Sequence, residues 1–315
     1  MNTRTHTMRA TVLILITSLA ALAACTPSKP QSYDTPEAAV QALVEAAKSD
    51  DNGPLLKMLG KDAKPLVDSG DPVDDKNARA RFVANFEKAN SLDKSIPDSV
   101  TLEVGDDKWP FPVPIVSEGG KWHFDVPTGI DELINRRVGA NELATIQSCL
   151  AYVDAQREYY LLNAQNDPLQ HYARQLISTE GKKDGLYWPT TGDEPLSPLG
   201  EGFAAARAEG YLQSGATKGT PFHGYIYRQL TKQGTNAKGG AYDYVVNDQL
   251  LGGFGLIAFP AEYGNSGVMT FIVNHDGVVY SKDLGPDTAK LAMAIDSFDP
   301  GPDWKKEEGE QTAGL

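Results

Sequence analysis

Twice along this chain a helical spacing of apolar residues gives way to alternation, which restricts the fold to helices packed on antiparallel sheets. Thr35-Pro36-Glu37 opens the first helix with a capping hydroxyl, a proline suited to the first turn and an acid at the positive end of the helix dipole. Val40, Leu43, Val44 and Ala47 follow at helical spacing until Asp50-Asp51-Asn52-Gly53 stops them. Segments 54–59 and 77–89 predict two more helices, the second with Ala78, Phe82, Phe86 and Ala89 on one stripe. The period then falls to two. Val100 to Val104 alternates, and 111–116 and 121–125 predict strands around Gly119-Gly120, with Pro112 and Pro114 marking a sheet edge.

The second half repeats the switch. Residues 139 to about 165 predict the longest helix, with Leu143, Ile146, Leu150 and Val153 as its apolar seam and Cys149 beside it as a small buried apolar residue. Residues 178–199 read as a loop rich in Gly, Pro and acids, and 203–209 as a short helix. Segments 223–230, 242–246, 255–259, 269–273 and 278–280 predict strands, the last two joined by a tight turn over Asn274-His275-Asp276-Gly277. The expected fold class is therefore α+β: two small domains, each of helices packed on an antiparallel sheet.

The first 25 residues carry an address. Arg4 and Arg9 without acids, a short apolar run from Thr11 to Ala20 and a small-residue end make residues 1–24 a secretory signal peptide. That run is shorter than the roughly 20 residues that span a bilayer. Leu22-Ala23-Ala24-Cys25 resembles the bacterial lipobox, in which the cysteine thiol is diacylated and the chain is cut just before it. The resemblance implies that Cys25 is the lipidated mature N-terminus, that residues 25–34 form a polar, Pro-rich tether, and that the membrane partner is reached through lipid. In lipoproteins of two-membrane cells an Asp after the cysteine signals inner-membrane retention. Thr26 stands there instead, which points to the outer membrane, facing the periplasm.

Charge and composition exclude other classes. The chain carries 29 Lys and Arg against 42 Asp and Glu, a net −13, and loss of residues 1–24 removes two arginines and no acid, leaving −15. Such a body gives phosphates no positive field, so no nucleic acid is expected. With Cys25 lipidated, Cys149 has no partner for a disulfide. His123, His171, His223 and His275 lie far apart and never four residues from one another, and the acids at 50–53 and 71–75 miss the offsets of a calcium loop, so no metal and no cofactor is expected.

Several longer phrases carry family resemblances. The N-terminal helices and hairpin look like small NTF2-like or cystatin-like domains, and one long helix before an antiparallel meander resembles the globular part of a type IV pilin. From about Tyr33 to Trp304 the chain resembles a bacterial lipoprotein family, domain-of-unknown-function family 2950, through Ser69-Gly-Asp-Pro72, Trp109-Pro-Phe-Pro112, Asn141-Glu-Leu143, Tyr152-Val-Asp-Ala-Gln-Arg-Glu-Tyr159, Gly181-Lys-Lys-Asp-Gly-Leu-Tyr-Trp-Pro189, His223-Gly-Tyr225, Phe271-Ile-Val-Asn-His-Asp-Gly-Val278 and Lys282-Asp-Leu-Gly285. The resemblance implies membership and secretion but no activity. The expected division is a signal peptide at 1–24, a tether at 25–34, an N-terminal domain at 35–138, a pilin-like domain at 139–302 and a disordered acidic tail at 303–315.

The expected function is a lipid-anchored, non-enzymatic binding or accessory module of the cell envelope. Its candidate binding surface is Tyr187, Trp188, His223, Tyr225, Tyr263, His275 and Asp276, because rings beside polar loops suit a protein or glycan partner. The alternative is a secreted hydrolase using Ser266, His223 or His275, and a third reading is a structural role in the envelope. The sequence reads Gly264-Asn-Ser-Gly267 as a glycine-rich loop, since it lacks the nucleophile-elbow pattern.

Overall fold

The computed structural model describes residues 29–192, 194–209, 211 and 219–307. Residues 1–24, Cys25, the first residues of the tether and the tail beyond 307 lie outside the described residues. Helices α1 (Pro36–Ala47), α2 (Gly53–Leu59), α3 (Lys64–Val67) and α4 (Pro72–Lys88) precede strands β1 (Asn90–Ile96), β2 (Ser99–Val104), β3 (Trp109–Pro110), β4 (Ile115–Glu118) and β5 (Lys121–Phe124). Thr35 caps α1 as its type predicts, its hydroxyl accepting from Ala38 N at 3.1 Å. The sheet runs β1-β2-β4-β5, all antiparallel, with β3 also on β2. Helices α1 and α4 cover it, burying Leu43, Val44 and Phe86 against Leu102, Ile115 and Phe124. Pro112 and Pro114 fall between strands and not on an edge strand, because the chain crosses there from β3 to β4.

The long helix α5 (Val126–Leu162) starts thirteen residues before Gly139 and is unbroken across the expected domain boundary between 138 and 139. The reason is Gly129. A Cβ there would stand 2.5 Å from Val113 Cα, so a glycine lets the first turn of α5 press on the 111–114 crossing. The predicted seam is met in part: Val153 is buried and Ile146 and Leu150 pack against the core, but Leu143 is 69% exposed, and Thr145, Cys149, Tyr152, Gln156 and Tyr159 are buried beside them. Polar groups occupy that face because each finds a partner: Thr145 Oγ1 donates to Asn141 O, and Gln156 Nε2 donates to Ala173 O while its Oε1 accepts from Ala173 N. Burial pushes the Cys149 thiol up to about 12, so it stays protonated and inert near neutral pH.

After the loop and α6 (Gly200–Glu209) come β6 (Tyr225–Leu230), β7 (Lys232–Gln233), β8 (Tyr242–Asp243), β9 (Val245–Val246), β10 (Gln249–Leu250), β11 (Gly255–Pro260), β12 (Met269–Asn274), β13 (Tyr280–Asp283), α7 (Thr288–Ala294), β14 (Ser297–Phe298) and β15 (Lys305–Lys306). The main sheet is antiparallel, β15-β13-β12-β11-β6. Leu256, Ala258, Phe271 and Val273 face α5, while Ile257, Phe259 and Ile272 pack with Ala292 and Phe298 on the other side. Two covered faces explain why β11 reads as an unbroken apolar run. Ile272 pairs with Tyr280, so the β12–β13 connection is longer than the four-residue turn expected. Residues 303–307 are no free tail: β15 joins the sheet edge, and Glu307 N donates to Val279 O at 2.9 Å. Among the described residues, no helix is long and apolar enough to cross a membrane.

Candidate functional site

Three of the phrases noted above meet where the N-terminal and C-terminal parts touch. Asp71, 1% exposed, caps α4 through Oδ1, which accepts from Val73 N at 3.1 Å and Asp74 N at 3.2 Å. Its Oδ2 accepts from Gly224 N and from the Tyr211 hydroxyl, both at 2.9 Å. Burial and the Asp71 carboxylate together hold the Tyr211 hydroxyl well above its ordinary range. His223 N donates to the same hydroxyl at 3.2 Å. Gly224 sits at φ +73, and a Cβ there would meet Asn141 Nδ2 at 2.5 Å; Asn141 Nδ2 in turn donates to Ser266 O. Both the backbone conformation and the close approach demand glycine.

Arg137 of α5 closes the other side. Its guanidinium donates to Pro65 O and Leu66 O at 2.8 Å each and to Asn265 Oδ1 at 2.6 Å. Asn265 Nδ2 donates to Asp68 O and Glu262 Oε2. Burial lowers the Arg137 pKa, opposed by Asp75, Asp74, Glu262 and Asp68. The Asp75 carboxyl, which accepts from Ser69 N, has its pKa raised by burial, with the Ser69 hydrogen bonds and Arg137 pulling it back. Ser266 is fully buried; its hydroxyl accepts from Glu262 N and donates to Glu262 O. These groups are committed to one another, so the arrangement clamps two parts of the chain together and leaves Ser266 no role as a free nucleophile.

The predicted surface residues fall in five settings. Tyr225 is fully buried, with its hydroxyl donating to Met269 O at 2.9 Å, and Trp188 is 5% exposed against Tyr159; both are core side chains. Tyr187, half-buried, stacks on Phe203 at 4.3 Å. His223 lies 3.6 Å from Glu209 at the end of α6. Tyr263 donates to Asp283 Oδ2 at 3.2 Å. His275 and Asp276 share the β12–β13 connection: His275 packs edge-on to Tyr244 and Phe254, Arg157 donates to its carbonyl, and exposed Asp276 lies 3.9 Å from Lys238. Sequence reasoning missed Asp71, Arg137, Tyr211 and Asn265. The available signal was the Ser69–Pro72 phrase and an arginine next to the expected domain boundary. Among the described residues, no group of three or more His, Cys, Asp and Glu is placed to hold a metal ion.

His275 gives a pH test. Burial lowers its pKa from the ordinary 6.5, nearby Lys238 and Arg157 adding to this and Asp276 opposing. The folded state therefore binds the proton less readily than the unfolded chain, so this stability is present above pH 6.5 and is lost as pH falls towards the folded pKa. His275→Gln should flatten the fall in urea midpoint between pH 7 and pH 5. An unchanged slope would show that another group carries it.

A family model described as "Protein of unknown function (DUF2950)" matches residues 30–307. No curated protein and no solved structure matches the chain.

Proposed function

The chain belongs to the family of proteins of unknown function DUF2950, and within it we propose that this protein is a lipid-anchored binding or accessory module of the bacterial envelope, secreted by residues 1–24 and acylated on Cys25. The observation that carries the reading is how the chain enters the fold. Residues 29–33 are not a free tether: Gln31 N donates to Met58 O at 2.8 Å, and Tyr33 exchanges two backbone hydrogen bonds with Trp122 at 2.7 and 2.8 Å. Only Thr26, Pro27 and Ser28 separate Cys25 from that fixed segment, a reach of about 13 Å at ~3.3 Å per residue. A lipid on Cys25 would hold the body close to the membrane surface, outer membrane and periplasmic face being the expected location.

The partner is an envelope protein. A glycan platform needs open rings, and Trp188 and Tyr225 are buried while Tyr187 is covered by Phe203. Arg137 and Asp71 make the two parts one presenting surface, and the commitment of the buried Ser266 hydroxyl to Glu262 N and Glu262 O supports a binding role over hydrolysis. The pilin-like and NTF2-like resemblances belong to this proposal as descriptions of the two parts.

Mass spectrometry of the N-terminal peptide is expected to find a diacylglyceryl modification on Cys25, and Cys25→Ala should move the protein from the membrane to the soluble periplasmic fraction. An unmodified cysteine, or an alanine variant that stays with the membrane, would refute anchorage. Crosslinked pull-down from envelopes that retrieves no partner would refute the binding role.

A further inference from the structure

The fixed N-terminal segment runs beside a groove. Lys29 and Pro30 lie so near Gly60 that a Cβ there would meet the Lys29 carbonyl carbon at 3.3 Å, and Gly60 has φ +87, so the segment's course depends on a glycine at the end of α2. Next to it, between α1 and α2, opens a space of about 310 Å³ lined by Tyr33, Ala42, Ala46, Pro54 and Met58, with Gln31, Glu45 and Lys57 as its polar residues. That is the small end of ligand pockets, which run about 300–1,000 Å³, and it suits a single hydrocarbon segment. Tyr33 lines this space, and its hydroxyl is buried without a hydrogen-bond partner among the described residues, with burial raising its pKa. A buried donor left unpaired is unfavourable, so an acceptor arriving in the groove would be bound through it.

We propose that this groove seats the lipid carried on Cys25, one acyl chain lying along Ala42, Ala46 and Met58 with the Tyr33 hydroxyl donating to an ester carbonyl. The inference rests on the reading that Cys25 is acylated. The covalent link chooses this occupant over bulk phospholipid. Cys25 lies four residues from Lys29, within about 13 Å, so the attached chain is held at an effective concentration of order millimolar at the mouth of the groove. The glycerol esters supply an acceptor for the unpaired Tyr33 hydroxyl, and Ala42, Ala46, Pro54 and Met58 remove methylenes from water when the chain is off the bilayer.

The test uses the full-length protein with the photoreactive amino acid benzoylphenylalanine at position 42, illuminated in membranes and digested. Mass spectrometry is expected to show the position-42 peptide joined to the lipidated Cys25 peptide. The same residue at position 293, 59% exposed on α7, should give no such product. A Cys25 lipid confirmed by intact mass together with crosslinks only to unattached phospholipid, or none, would overturn the seat while leaving the anchor standing; an unlipidated Cys25 overturns both. As a second measurement, Cys25→Ala in detergent-free buffer should bind a fluorescent sixteen-carbon fatty acid. Tyr33→Phe should weaken that binding about fivefold, the value of one hydrogen bond, and Ala42→Trp at least about tenfold by filling the groove. Equal binding by all three proteins would also overturn the proposal.

Discussion

Asp71→Ala is expected to destabilise the protein by about 3–5 kcal/mol, lowering the melting temperature by roughly 10 °C. The carboxylate serves four donors at once: Val73 N and Asp74 N at the start of α4, and Gly224 N and the Tyr211 hydroxyl from the C-terminal part. Losing the cap costs about 1 kcal/mol. The larger share comes from Gly224 N and the Tyr211 hydroxyl, buried donors that no water reaches once the carboxylate is gone, at about 1–3 kcal/mol each. Asp71→Asn should cost less, about 2 kcal/mol, because its oxygen can still cap α4 while its amide cannot accept from Gly224 or Tyr211. Tyr211→Phe should cost about 1 kcal/mol, since the other three donors remain on Asp71. Hydrogen exchange read by mass spectrometry should show protection falling in both α4 and β6 in Asp71→Ala. A variant within 1 kcal/mol of the parent would mean that the clamp contributes little beyond its cap.

What the sequence made legible was local. Thr35-Pro36-Glu37 announces α1 because each residue acts on its own first turn, and the pattern at 255–259 announces β11 because a strand covered on both faces must be apolar throughout. The α5 face was legible only in part, through Ile146, Leu150 and Val153, for the opposite reason. Its stripe is set by partners on other elements: Thr145 and Gln156 are buried because Tyr227 and Ala173 meet them, and Leu143 is outside because nothing packs there. The tyrosines and Trp188 alternate or cluster identically whether they face solvent or a helix, so Tyr225 looked like surface and is core. The junction was out of reach of any local pattern. Asp71 and Gly224 are 153 residues apart and Arg137 and Asn265 are 128 apart, and polar side chains at such distances leave no period to detect.

Arg137→Ala should cost as much as Asp71→Ala, about 3–5 kcal/mol, but with a pH dependence that identifies its cause. Removing the guanidinium leaves Asn265 Oδ1 and the Pro65 and Leu66 carbonyls without their donor and leaves Asp75 buried without the cation that opposes its desolvation. Asp75 already has a raised pKa in the folded state, and loss of Arg137 raises it further. A carboxyl with a folded pKa above its unfolded value binds its proton more readily when folded, so its stabilising share grows as pH falls towards the unfolded pKa near 4 and is lost as pH rises through the folded value. Measured against the parent by urea unfolding, the deficit of Arg137→Ala should be larger at pH 7 than at pH 5. Arg137→Lys should recover only part of it, because one ammonium cannot span both backbone carbonyls and Asn265 with the planar geometry of the guanidinium. A deficit equal at the two pH values would assign the loss to the carbonyls and Asn265 alone, and one larger at pH 5 would show that Arg137 does not compensate Asp75.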